Sequence, residues 1–249
     1  MLVDTHCHIH ESDYPLPIGD TLNRAVEVGV QKYICVGTSE ISSRDAVAFA
    51  DAHPGNFAAI GVHPHETKEG YGAIASLANE AQHVVAIGEI GLDYFYTHSS
   101  RETQIQALKD QIAVAFAHNL PIIFHVREAF DDFWPIFDAY PGIRGVLHSF
   151  TDSKENLDKA LERGLYIGIN GISTFTKDET QKTTFDSIPL GQLLFETDAP
   201  FLTPAPFRGK VNEPAFVRNI AEYHANRRGI SLDEISSATT ANAHALFAL

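Results

Sequence analysis

Six ionisable side chains sit within or at the end of apolar runs, where losing water is costly. His125 interrupts Ile122-Ile123-Phe124-His125-Val126 and His148 ends Gly145-Val146-Leu147-His148. Glu89 lies in Ala86-Ile87-Gly88-Glu89-Ile90, and Asp198 closes Leu194-Phe195-Glu196-Thr197-Asp198. A carboxylate or imidazole in such a place is stable only when it is paired, hydrogen-bonded or bound to a metal. His6 and His8 end a further run, Leu2-Val3-Asp4-Thr5-His6-Cys7-His8. Two apart on an extended chain, they share one face with Cα atoms roughly 6–7 Å apart. Their rings can therefore converge on one cation at about 2.0–2.1 Å, while Cys7 points the other way and packs. Glu196 stays open as a second carboxylate of the Asp198 run. Six ligands exceed what one tetrahedral or five-coordinate ion uses, so the set predicts two divalent ions, with Glu89 placed to bridge them. Such a pair activates a water and stabilises the attacking and leaving oxygens of a phosphoryl displacement. The nitrogen-rich set favours Zn or Mn, and its carboxylates keep Mg open.

The elements that carry these residues repeat as strand then helix. Eight strands are predicted, at 2–6, 32–36, 57–62, 84–90, 121–126, 145–149, 165–169 and 192–198. Between them, helical spacing covers 21–28, 43–52, 102–118, 128–139 and 154–163. Gly29 and Gly164 fall where helix C-caps are expected, and Ser99, Ser100 and Glu102 mark a helix start. Strands alternating with helices imply a parallel sheet, and eight units in about 250 residues match an α/β fold of the (β/α)8 TIM-barrel type. An open doubly wound sheet is the alternative. In a barrel, chemistry gathers at the C-terminal ends of the strands, which is where all six residues fall, together with His63-Pro64-His65 and Gly91-Leu92-Asp93. No linker or low-complexity tract divides the chain, so residues 1–249 are read as one domain. The stretch 200–214 suits a structured loop over a pocket. Phe130, Phe133, Trp134 and Phe137 are spaced as a helix face and read as core. His10, His53, His83, His98, His118, His224 and His244 read as surface or packing residues.

Composition narrows the class. The chain has 249 residues, 18 Lys plus Arg against 32 Asp plus Glu, a formal net charge of -14, 13 His, two Cys and 44% hydrophobic residues. The acidic balance argues against a broad basic surface for wrapping nucleic acid and leaves room for a local anionic-substrate pocket. Two cysteines make no disulfide framework, the first residues lack a signal-peptide pattern, and no apolar run approaches the roughly 20 residues of a membrane span. A cytoplasmic, monomeric protein with no membrane partner is expected.

The motifs in combination resemble a known family. Val3-Asp4-Thr5-His6-Cys7-His8, Ile60-Gly61-Val62-His63-Pro64-His65, Gly88-Glu89-Ile90-Gly91-Leu92-Asp93-Tyr94, Pro121 to Arg127, His148-Ser149-Phe150 and Glu196 to Pro204 closely resemble the TatD-type metal-dependent deoxyribonucleases. The likeness continues through Arg208-Gly209-Lys210 and Asn212-Glu213-Pro214 to Asn242-Ala243. It implies a metal-dependent hydrolase barrel of the amidohydrolase type that cleaves DNA phosphodiesters, commonly as a 3'-5' exonuclease on single strands or strand ends. Carried over, His6, His8, Glu89 and Asp198 hold one ion and Glu89, His125 and His148 the other. Asp198 doubles as general base for the metal-activated water, and His63 contacts or polarises the scissile phosphate. His65, Asp93, Arg127, Arg208 and Lys210 are implied as substrate-side or supporting groups. DNA repair, degradation during cell death and turnover of damaged DNA are all compatible pathways. Asp152 stands where the family usually has Gly, which puts the shape of that loop in question. A competing reading keeps the barrel but hydrolyses another amide, lactone or phosphoester. Many such enzymes bridge their ions with a carboxylated Lys, whereas the fourth strand offers Glu89 and no Lys. A non-catalytic nucleic-acid-binding or metal-storage module is disfavoured by the net charge and by ligands set in apolar runs.

Overall fold

A computed structural model describes every residue except Ala81 and Thr97. The chain forms two compact units, Met1–Ile34 with His148–Leu249 and Cys35–Leu147. Eight strands run in order β1 Leu2–Cys7, β2 Val30–Val36, β3 Asn56–Ile60, β4 Val84–Asp93, β5 Ile122–Arg127, β6 Gly145–Leu147, β7 Tyr166–Ile169 and β8 Leu193–Phe195. They follow one another β1 to β8 in one sheet. Within the first unit, β1 and the segment after β8 meet through a parallel bridge between Cys7 and Ala199 and through the Asp198 N–H donated to the His6 carbonyl at 2.9 Å. Sequential parallel order with the last strand returned to the first is the connectivity of a (β/α)8 barrel.

The expected helices appear as α1 Ile18–Glu27, α2 Glu40–Ala52, α4 Arg101–Ala117, α5 Phe130–Asp138 and α6 Lys154–Glu162. Ser39, Ser100 and Ser153 cap α2, α4 and α6 by accepting backbone N–H groups three residues on. Gly29 and Gly164 end their helices at φ of 84° and 75°, a left-handed conformation that glycine adopts without a Cβ penalty. The periodicity does not mark α3 Ala73–Glu80, α7 Ile172–Phe175, α8 Glu179–Asp186, α9 Val217–Arg228 and α10 Leu232–Phe247. Helix α10 packs on β1 and β8. Its Asn242 amide donates to the carbonyls of Leu190 at 2.7 Å and Leu193 at 2.8 Å, so that motif residue anchors the helix to the strand.

In the second unit, β3, β4, β5 and β6 pair in parallel with Ile87 opposite Ile122 and Gly91 opposite His125. The α5 aromatics are core, as their spacing implies: Phe133 and Phe137 pack on Phe124 at 5.1 and 5.9 Å, and Trp134 is buried. In the first unit β7 pairs with β8. Cys7 is buried there, its thiol directed at the Ile34 carbonyl. Among the described residues no helix is long and apolar enough to cross a membrane.

Candidate metal centre

In the first unit, the end of β1 supplies His6 and His8 and the segment after β8 supplies Asp198. That segment is fixed by a buried carboxylate. Asp4 accepts the Thr197 N–H at 2.9 Å and its hydroxyl at 2.6 Å, and burial pushes the Asp4 carboxyl up. Asn212 adds a donor to the Thr197 carbonyl at 2.7 Å. Asp198 itself stands at φ 58°, a strained setting for a non-glycine residue that is often found at functional sites. Its carboxylate lies 3.3 Å from His8 Nε2 and 3.6 Å from His6 Nε2, and the two Nε2 atoms are 3.1 Å apart. A tetrahedral ion with bonds of about 2.0–2.1 Å has ligand–ligand edges of about 3.3 Å, so these donors fit one cation. Burial favours the neutral acid of Asp198, but the His8 hydrogen bond and the charges of His6 and His148 outweigh it and hold the carboxyl below the usual range.

His148 follows β6. Its ring stacks on His6 at 3.9 Å, and Glu196 explains its pose. Glu196, which is 1% exposed, accepts the Ser149 N–H at 2.6 Å and faces His148 Nδ1 at 3.2 Å through the same oxygen. A carboxylate behind a ligand imidazole sets its tautomer and leaves the other nitrogen for a metal. Gly168 makes this possible, because a Cβ there would lie 2.4 Å from the Glu196 carboxylate.

In the second unit the segment after β3 brings His63 and His65, β4 brings Glu89 and Asp93, and β5 brings His125. The β4–β5 register shifts between Ile87 and Ile90, so Glu89 stands in an irregularity of the ladder. Such irregularities re-aim side chains next to active sites. Gly91 lets the two strands approach, since a Cβ there would fall 1.8 Å from the His125 carbonyl oxygen. Glu89 Oε1 lies 2.8 Å from His125 Nδ1, a second pair of atoms suited to a divalent ion, and 3.6 Å from His63 Nε2. His65 N–H donates to His63 Nδ1 at 3.2 Å. That bond puts the proton of the neutral His63 ring on Nε2, which makes His63 a donor at the cluster rather than a ligand through that atom.

Asp93 organises this side. One of its oxygens faces His65 Nε2 at 2.9 Å and His125 Nε2 at 3.1 Å, and the other accepts the N–H groups of Phe95 at 3.0 Å and Tyr96 at 3.1 Å. Burial opposes its ionisation, but the His125 bond, the Tyr96 N–H and the His125 charge hold it far below the usual carboxylate range.

The remaining expected residues are placed as follows. Arg127 ends β5 and lies over the Phe95 ring at 3.9 Å. Arg208 donates to the Thr203 carbonyl at 2.8 Å and stacks on Phe175, while Lys210 leans on Phe207. Both shape the loop after β8. Asp152 keeps a negative φ and accepts from Ser153 N and Asn156 Nδ2, while Ser149 is the left-handed residue of that turn at φ 50°. Two residues near the site escape motif spacing, Phe95 and Tyr96, whose exposure only the fold shows; Glu196, open in the sequence as a second carboxylate, is the partner of His148. The alternation of Phe195, Glu196 and Thr197 signals burial of Glu196 but not its partner.

Comparison with known proteins fits this geometry. The family model of TatD related DNases matches residues 3–248. An uncharacterised metal-dependent hydrolase of Bacillus subtilis, YabD, is 37% identical over 253 residues, covering 99% of each chain. The Salmonella typhimurium protein named 3'-5' ssDNA/RNA exonuclease TatD is 34% identical, with 99% of this chain and 98% of that one covered. The crystal structure of the Escherichia coli TatD homologue YJJV superposes with a TM-score of 0.90 at 30% identity, covering 100% of this chain and 98% of that one.

Proposed function

The chain belongs to the TatD related DNase family of metal-dependent hydrolases, and from that premise we propose that it hydrolyses phosphodiester bonds at the ends of single-stranded DNA, from 3' to 5', as one domain of residues 1–249. The observation that carries this reading is the pair of histidine–carboxylate groups, His6-His8-Asp198 and Glu89-His125 with His63 beside it, each built at strand ends with atom spacings suited to a divalent ion. The exonuclease name of the Salmonella relative supports the substrate and polarity. The proposed ligands are His6, His8, Asp198, Glu89, His125 and His148, for two ions of Zn, Mn or Mg. Glu89 as the shared ligand rests on the family pattern.

Two bound divalent ions would supply a polarised water as nucleophile and neutralise charge on the phosphate. The chain's own residues do the rest. Asp198, ionised at neutral pH by its histidine neighbours, accepts the proton that the attacking water loses. His63 offers its Nε2–H to a phosphate oxygen, as its tautomer dictates. Asp93 and Glu196 hold His125 and His148 in orientation. The acidic composition agrees with a small contact, because bound divalent cations would make each ligand group locally positive on an otherwise negative protein.

Replacing Asp198 by Asn tests the assignment. The variant keeps its circular dichroism spectrum and loses about 10²- to 10⁴-fold in kcat on a single-stranded oligonucleotide. A folded D198N protein with full turnover would overturn the general-base role. Chelation abolishes activity and divalent ions restore it, and profiling against single-stranded DNA, duplex DNA, RNA and a phosphotriester fixes the substrate.

A further inference from the structure

The second unit carries two adjacent exposed aromatic side chains beside the candidate ligands. Phe95 and Tyr96 follow β4 and are 48% and 43% exposed. Large apolar rings at that exposure gain little from burial, so their position calls for another reason. This aromatic shelf is built into the site. Asp93, whose one oxygen holds His65 and His125, uses its other oxygen to fix the backbone of both Phe95 and Tyr96. The His65 ring stands edge-on to Tyr96 at 5.3 Å and 86°. Arg127, at the end of the strand that carries His125, places its guanidinium 3.9 Å over Phe95 and 5.1 Å from the Tyr96 ring centre. Arg127 forms no ion pair among the described residues, so its charge remains open to an anion.

Phe95 and Tyr96 stand edge to face at 4.7 Å, with Arg127 on one face of Phe95 and His98 stacked on Tyr96 at 5.8 Å; the ring surface left exposed, a guanidinium without an ion pair and the Asp93 link to a candidate ligand histidine match one class of occupant. We infer that Phe95, Tyr96 and Arg127 form a nucleobase subsite, on which an unpaired base next to the scissile phosphate stacks while Arg127 meets the adjoining backbone. This inference rests on the nucleic-acid reading above and adds to it a source of single-strand preference. A base inside a duplex has both faces covered by its neighbours and cannot use the shelf, whereas a base at a frayed or single-stranded end can. Stacking tolerates every base because each has a π face, so the subsite sets strand form and not sequence. In the first unit Phe201 is 61% exposed with its ring 6.4 Å from that of His8, so exposed aromatic side chains accompany ligand histidines in both units.

The test compares two substrates with the metal-loaded protein: a single-stranded oligonucleotide, and the same strand with tetrahydrofuran abasic residues at its terminal positions. The wild type is expected to prefer the base-bearing strand by about 5- to 100-fold in kcat/KM. The Phe95→Ala, Tyr96→Ala double variant reduces that preference to within about twofold, and Tyr96→Trp retains it. If the double variant does not fold, Tyr96→Leu serves, since it keeps apolar bulk without an extended π face. Equal cleavage of the two strands by the wild type overturns the subsite and leaves the nuclease reading intact. A folded double variant that keeps the wild-type preference does the same. Hydrolysis of bis(4-nitrophenyl) phosphate with no cleavage of either strand overturns the nucleic-acid reading itself, and the subsite with it.

Discussion

At the scale of single residues, the centre depends as much on the groups behind the ligands as on the ligands. His125 has Glu89 at one nitrogen and Asp93 at the other, and His148 has Glu196 at its Nδ1. With the proton held on the nitrogen facing Asp93 or Glu196, the opposite nitrogen carries a lone pair for a cation. Glu196→Ala is therefore expected to weaken divalent-ion binding about 10- to 100-fold in calorimetric titration, with Glu196→Gln partly rescuing it through its remaining carbonyl oxygen. Unchanged affinity in a folded Glu196→Ala protein would count against this role. The motif residues Asn212 and Asn242 belong to a different class. They satisfy buried backbone carbonyls and hold segments in place, so motif membership alone does not mark chemistry.

At the scale of elements, strand β4 shows how local sequence places a candidate ligand. Gly88 and Glu89 fall within the register shift against β5 between Ile87 and Ile90, and Gly91 just beyond it allows a backbone approach that any larger residue blocks. Gly91→Ala should destabilise the protein by a few kcal/mol, because the added carbon overlaps a backbone oxygen that no rotamer change can move. The same displacement separates Glu89 from His125, so the variant is expected to bind divalent ions more weakly than wild type when compared well below its melting midpoint. A melting midpoint and a metal affinity equal to the wild type's would refute the packing account. The strands were legible from β-branched runs, but the ends of β8 and β6 were not. The runs continue into Glu196 to Asp198 and into His148-Ser149, whereas pairing stops at Phe195 and Leu147. Beyond those points the backbone turns through left-handed residues to deliver Asp198 and Ser149, a conformation that hydrophobic periodicity does not encode.

For the whole molecule, charge and buried histidine make two predictions. Under the proposed function, a protein of net charge -14 would contact few phosphates, and each contact contributes about -0.7 to the slope of log affinity against log salt for single strands. The log of kcat/KM on single-stranded DNA is expected to fall with a slope of about -1 to -2, and a slope of about -5 or steeper would imply a long bound tract. Acid stability is the second. His224 is fully buried, and its Nε2 donates to Ser173 Oγ at 2.9 Å because that hydroxyl already donates to the Asn170 carbonyl. Its Nδ1 has no partner among the described residues, and burial, with Arg228 adding to it, pushes the ring down to about 3 from an ordinary 6.5. The unfolded chain binds this proton more readily, so the stability it confers is complete above about pH 6.5 and is lost as pH falls toward about 3. The loss is at most about 1.4 kcal/mol per pH unit for one proton. Urea unfolding across that range should show a shallower decline for His224→Gln, and an identical decline would exclude His224 as the source.

Sequence by itself determined the alternation of strands and helices, the identity of the six ligand candidates and the family, because each is written in residue type and short spacing. Burial of an ionisable group inside an aliphatic run is a local signal, and so is a His-x-His pair. What only the tertiary structure decided is which group faces which. His125 meets Asp93 across paired strands, Glu196 turns to His148 from 48 residues away, and Arg127 covers a ring brought by the neighbouring strand. Those contacts depend on register, on a ladder irregularity and on left-handed turns, and a one-residue slip in any of them sends the side chain to the opposite face.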